Sequence, residues 1–227
     1  SKGVSTKEDD FTEHLFIAQA HNYLLIFTDK GQVYWKKAYE IPEGNKTSKG
    51  RAIQNLINIE PGDTVRAIIT IKNLTDEDYI NNNYVILCTE NGIIKKTSLE
   101  AYSRPRQGGI TAITINDGDR LLNASLTNGN NHIIIAKSEG KAVHFHESDV
   151  RPMGRTAAGV RAVTLESDDE KVIGMVCISR EDANLLVVSE NGYGKRSVIE
   201  DYRITKRGGK GVITLNITEK TGKLDDH

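Results

Sequence analysis

Lysine and arginine gather in four glycine-bearing stretches of this chain. They are Lys46, Lys49 and Arg51; Arg104 and Arg106; Arg151, Arg155 and Arg161; and Arg203, Lys206, Arg207 and Lys210, the last set enclosing Gly208, Gly209 and Gly211. Cations beside glycines suit phosphate oxygens: the side chains neutralise the anion, and the glycines let backbone N–H groups approach it. One charged loop is ordinary solvated surface. Four in register point to an extended anionic partner.

Other residue types offer less. The run 206–211 lacks the Gly-Lys-Ser/Thr ending of a nucleotide-binding P-loop. His144 and His146 alternate on one strand with His132 nearby, and three imidazoles can hold zinc, but histidines on a solvent-facing strand surface are the commoner arrangement. Aspartates and glutamates are plentiful in turns without a pairing that would act as general acid and base. Tyr102 and Tyr202 fill one repeat position, as packing residues do, and Trp35 reads as packing too. No catalytic residue, metal or cofactor is expected.

The elements that carry the loops repeat. Hairpin glycines Gly31, Gly92, Gly140 and Gly192 are each followed, 17 to 19 residues later, by Gly50, Gly109, Gly159 and Gly211. Spacings of 61, 48 and 52 between the hairpin glycines mark an array of supersecondary units. In the unit around Gly92, residues 84–88 form an apolar run of strand length, Glu90-Asn91-Gly92 is a hairpin signal, and residues 93–97 return. Residues 98–102 suffice for one helical turn and 103–109 form the basic loop. Residues 110–115 read as a third strand, 116–119 as an acidic turn and 120–126 as a fourth strand. Four short antiparallel strands per unit describe a propeller-like blade.

The expected fold is therefore all-β, a β-pinwheel or propeller-like array of four-stranded antiparallel blades in one domain over residues 1–227. Blades fall near 23–82, 83–130, 131–182 and 183–227, residues 1–22 end an earlier blade, and the array is cut at both ends. Ladder geometry puts the first and third turns of a blade at one end and the second connection at the other. The third turns are acidic, with Asp63, Asp119 and Asp168, and the second connections are basic. A chain of net charge −1 is thus expected to carry one positive rim, widened by Lys36, Lys37, Lys95, Lys96, Lys195 and Arg196.

Aromatic residues make up 6% of the chain, few for the exposed apolar patch of a protein-interaction propeller. A propeller hydrolase would require convergent carboxylates or histidines. Cys88 and Cys177 lie inside apolar runs and read as buried thiols. No apolar run approaches the roughly 18 residues of a membrane span. The opening Ser1-Lys2-Gly3 carries no signal peptide, so a cytoplasmic location and excision from a longer protein are expected.

The segment Thr205-Lys206-Arg207-Gly208-Gly209-Lys210-Gly211 resembles the gyrase box, Q-R-R-G-G-K-G, of the C-terminal domain of the bacterial DNA gyrase A protein. It departs at Thr205 and Lys206. Residues 39–44 with 49–56 look like a second-blade sequence of that family, and Arg151-Pro152-Met153-Gly154-Arg155 with residues 158–161 looks like a middle-blade loop. The resemblance covers nearly the whole chain.

It implies a six-bladed pinwheel that binds duplex DNA on its outer rim without sequence preference. Bending and wrapping that duplex would let the intact enzyme introduce negative supercoils. It also implies that the strict box lies in an earlier blade, that the strand-breaking tyrosine lies in the N-terminal part of gyrase A, and that ATP is bound by a partner protein. The chain alone would be no enzyme, but part of an ATP-dependent type IIA DNA topoisomerase. Implied partners are double-stranded DNA, the N-terminal part of gyrase A, and gyrase B in an A2B2 assembly, with no membrane. The A protein of topoisomerase IV, with fewer blades and a degraded box, is the nearest alternative.

Overall fold

The computed structural model describes residues 22–38, 55, 57–179 and 213–214. Within them β1 (Tyr23–Thr28) and β2 (Gln32–Lys37) form a hairpin, as do β4 (Tyr84–Thr89) with β5 (Ile93–Ser98) and β8 (His132–Lys137) with β9 (Lys141–His146). Gly31, Gly92 and Gly140 close the three tips with positive φ, each donating its N–H to the carbonyl three residues back at 3.0–3.1 Å. The remaining strands are β3 (Val65–Ile71), β6 (Ile110–Thr111), β7 (Leu121–Thr127), β10 (Val160–Arg161), β11 (Val172–Ile178) and β12 (Ile213–Thr214). Single 3-10 turns span Leu99–Tyr102 and Glu147–Asp149. The extra length of the first period holds helix α1 (Glu77–Asn82), started by the Asp76 carboxylate accepting from the Tyr79 N–H.

Three four-stranded sheets follow, ordered β3-β1-β2-β6, β10-β5-β4-β7 and β11-β8-β9-β12. A hairpin sits in the middle of each. The strand after the acidic turn covers one side of its own hairpin. The other side is covered by the next unit. Ile110 and Thr111, expected to complete their own blade, pair instead with Val33 and Gln32; Val160 and Arg161 pair with Ile94 and Ile93. Ile213 and Thr214 pair likewise with Ala142 and Lys141.

The expected six-residue third strand is cut to two for a visible reason. The N–H groups of Ala112 and Ile113 both donate to the Gly31 carbonyl, at 2.7 and 3.2 Å, which turns the chain across the hairpin tip. Ala162 does the same to the Gly92 carbonyl at 2.7 Å.

Both faces of a middle sheet are apolar because each is covered. Leu25, Phe27, Val33 and Trp35 of the first sheet meet Val85 and Leu87 of the second, with Leu99 and Tyr102 between them. The alternate residues Ile86, Cys88 and Ile94 meet Ile133, Ile135, Val143 and Phe145 of the third. Burying each such side chain contributes on the order of 1.5–3 kcal/mol. Tyr102 is sealed edge-on against Phe27 and donates to the Ala112 carbonyl at 3.1 Å; the Trp35 indole donates to the Tyr102 carbonyl at 2.9 Å. Both aromatic residues are packing groups. Cys88 is buried, Cys177 half-buried, and both are free thiols. Strand β7 packs against β3 and β11, which sets these three on the inner side of the array and β6, β10 and β12 on the outer side.

Candidate nucleic-acid interface

The basic loops lead into the outermost strands. Residues 103–109 leave the first 3-10 turn of the second unit and enter β6 on the edge of the first sheet; residues 151–159 enter β10 on the edge of the second. Arg104, Arg106 and Arg151 are exposed there, and Arg161 is exposed on β10 itself. Arg104 lies 2.6 Å from Glu100, but both side chains stand in solvent, where such a pair is worth little and yields readily to another anion. Arg155 differs. It is half-buried, and its guanidinium donates to the Thr111 carbonyl of the neighbouring edge strand.

Several expected members of the site lie outside the described residues: Lys46, Lys49, Arg51, Arg203, Lys206, Arg207, Gly208, Gly209, Lys210 and Gly211, together with Lys195 and Arg196.

The loop glycines divide into two kinds. Gly109 has φ +74°, and a Cβ there would lie 2.5 Å from Tyr34 Cε1; Gly159 has φ +101°, and a Cβ would lie 2.5 Å from the Ile94 carbonyl oxygen. The need for glycine at these two positions comes from the neighbouring sheet. A Cβ on Gly108 or Gly154 would meet nothing within 4 Å, so the open backbone in these loops is at those positions.

Lys95 and Lys96 do not widen the positive band, because both are buried. Strand alternation places these two neighbours on opposite faces, and both faces of this sheet are covered. Lys95 donates to the carbonyls of Ala112, Gly154 and Arg155. Lys96 sits 3.2 Å from Glu147 Oε1 and 4.5 Å above the Tyr84 ring. Glu147 occupies the repeat position that Leu99 fills in the second unit, and it also accepts from Thr127 Oγ1 at 3.0 Å and the Asn131 N–H at 2.8 Å. Lys36 and Lys37 are half-buried, with Lys37 5.8 Å over the Tyr23 ring.

The acidic turns stand at the hairpin tips. Asp63 Oδ1 accepts the N–H groups of Lys30 and Thr64 at 3.0 and 2.9 Å, and Asp119 Oδ1 accepts those of Asn91 and Arg120 at 3.0 and 2.8 Å. Arg66 joins two tips, reaching Asp29 Oδ1 and Glu90 Oε1 at 2.5 Å each. In the third unit Glu170 takes this turn position and pairs with Lys137 at 3.0 Å. Burial acts to raise the pKa of Glu170. The Glu166 N–H and the Lys137 and Lys141 ammoniums outweigh it and hold the group below the ordinary carboxylate value. Asp168 is exposed.

The histidines are not on a solvent face. His132 and His144 are buried and share a hydrogen bond of 2.9 Å between Nδ1 and Nε2, while His146 is half-buried with its ring 5.4 Å from that of His132. Among the described residues, the group whose oxygens lie within 4.8 Å of one another is Glu139, Glu166 and Glu170. Lys137 and Lys141 are its counter-ions. No helix among the described residues is long and apolar enough to cross a membrane.

A family model described as DNA gyrase C-terminal domain, beta-propeller, matches residues 22–72, 83–128, 132–179 and 183–226. The DNA gyrase A protein of Salmonella typhimurium is 39% identical over 218 residues, covering 96% of this chain and 24% of the relative. That of Staphylococcus epidermidis is 40% identical over 224 residues, covering 98% and 24%. The chain spans about a quarter of the length of these curated relatives. A solved DNA gyrase A C-terminal domain is similar with a TM-score of 0.72 at 27% identity, over 91% of this chain and 65% of that one. A C-terminal domain of DNA topoisomerase IV is similar with a TM-score of 0.72 at 26% identity, over 90% and 62%. On the four segments matched, which follow the repeats blade by blade, the chain belongs to the DNA gyrase C-terminal domain, β-propeller family.

Proposed function

We propose that this chain is the duplex-binding and duplex-bending module of a DNA gyrase A protein, and that it wraps DNA for the introduction of negative supercoils. The observation that carries the reading is the exposure of Arg104, Arg106, Arg151 and Arg161 beside the outermost strands, while Asp63 and Asp119 cap the hairpin tips. Phosphate contacts of this kind position a duplex and read no sequence. Bending a 20–30 base-pair site by 40–90° costs on the order of 1–6 kcal/mol, which several such contacts offset. Strand cleavage would belong to the N-terminal part of gyrase A and ATP binding to gyrase B, both acting on DNA in the cytoplasm. The chain alone then has no catalytic task. A topoisomerase IV assignment is favoured by the equal TM-score of 0.72, but the relatives at 39–40% identity are gyrase A proteins, which supports gyrase.

A gel shift with salt titration tests the reading. Four loops each neutralising about two phosphates give a slope of log K against log salt of roughly −7. Affinity should be the same for unrelated sequences of equal length. A chain that fails to bind duplex at low salt, or binds with a slope near zero, is not a wrapping module.

A further inference from the structure

Among the described residues two lysines are fully buried, Lys95 and Lys137. Lys137 has Glu170 at 3.0 Å. Lys95 is held by carbonyls: Ala112 just past β6, and Gly154, at 3.3 Å, and Arg155 in the loop that enters β10. A single ammonium thereby ties two successive segments of the outer rim. Arg155 adds a second tie to the Thr111 carbonyl, and the Met153 N–H donates to the Lys96 carbonyl at 2.8 Å. The repeat does not need a lysine here to form a blade. Counting three residues from the hairpin glycine, the first unit has Tyr34, the third Val143 and the fourth Lys195. A lysine at this position is therefore present in some units and not in others, and burying it at this junction is costly and calls for a return in geometry.

We propose that Lys95 is a positioning residue that fixes the placement of loop 151–159 relative to loop 103–109, and through it the curvature the outer rim imposes on a bound duplex. The curvature part rests on the DNA-bending reading above; the tie between the loops does not.

The tie responds to protonation. Burial, and then the Arg155 guanidinium, pull the pKa of Lys95 from 10.5 down to about 7. The titratable groups facing it are Arg155 and Tyr102, whose hydroxyl shares the Ala112 carbonyl and is kept protonated by burial. An ammonium has three N–H groups for three carbonyls, and a neutral amine has two.

The test uses the full chain and its Lys95→Met variant, with a doubly labelled duplex of about 30 base pairs whose end-to-end energy transfer reports the bend. Lys95 touches no solvent, so the variant should keep the wild-type salt slope. Its bend should be smaller, and the amides of Met153 and Ala157 should exchange at least about tenfold faster. Wild-type transfer should fall between about pH 6 and pH 8.5 while the variant's stays constant. A variant with wild-type bend and exchange overturns the proposal. Should the variant not fold, the wild-type pH series decides: a bend constant across that range overturns it. Failure of the wild-type chain to bind duplex instead overturns the DNA reading and the curvature with it, while exchange at Met153 and Ala157 still reports on the tie.

Discussion

Replacing Gly159 with alanine separates a glycine that admits the neighbouring strand from one that faces open space. At φ +101° an alanine is strained by about 1–3 kcal/mol. Its Cβ would also lie 2.5 Å from the Ile94 carbonyl oxygen and 2.9 Å from Ile93 Cγ2, and both atoms belong to a hydrogen-bonded strand that cannot step aside. Overpacking of this sort adds about 1–3 kcal/mol, so a loss of about 3 kcal/mol or more is expected. Gly154→Ala is the internal control. Its φ lies outside the left-handed region and its Cβ would meet nothing within 4 Å, so stability should be unchanged or rise by about 0.4–1 kcal/mol. Denaturant unfolding at one temperature measures both, with an unchanged m-value as the check that the two states are the same. A Gly159→Ala chain within about 0.5 kcal/mol of wild type would refute the reasoning, because the edge strand would then not lie where the close contact requires.

Trp35→Phe should cost about 1–3 kcal/mol in the same assay, since the Tyr102 carbonyl loses its 2.9 Å indole donor inside the core. Glu147→Ala should cost about 3–5 kcal/mol, because it strands Lys96 in a buried site and removes the acceptor of Thr127 and Asn131. Lys95 loses its proton near pH 7 when folded and near 10.5 when unfolded. The unfolded chain therefore holds more protons between those values, and stability should rise with pH across that window, by at most about 1.4 kcal/mol per pH unit. Unfolding midpoints recorded across the window should show the rise in wild type and not in Lys95→Met.

Much of the architecture was legible because its signals are local. Glu90-Asn91-Gly92 announces a hairpin wherever it folds, and the same offsets locate Tyr102 as a packing residue. What local pattern does not carry is partner choice. Ile110 and Thr111 look like a strand, but nothing near them says that the partner lies 79 residues back at Gln32. Lys95 and Lys96 escape the sequence pattern for a related reason: a charged residue on a strand signals solvent unless something polar covers it, and the cover comes from the next unit. One clue was present. Glu147 stands where the second unit has Leu99, and a carboxylate at an apolar repeat position asks for a buried cation. The exposure of Arg104, Arg106 and Arg151 followed from their place in glycine- and proline-bearing loops, whereas the inward role of Arg155 depended on a carbonyl 44 residues away.

The borrowing of each outer strand from the following unit sets a rule for how such an array changes length. Removing one whole period, from a hairpin glycine to the next, hands the neighbouring hairpin an equivalent covering strand and leaves no ladder open. Removing part of a period takes the cover from one blade while deleting the body of another, and exposes a row of unpaired N–H and C=O groups on the very edge that faces outward. Changes in blade number by whole periods thereby keep every sheet closed, whereas fractional changes leave an open edge.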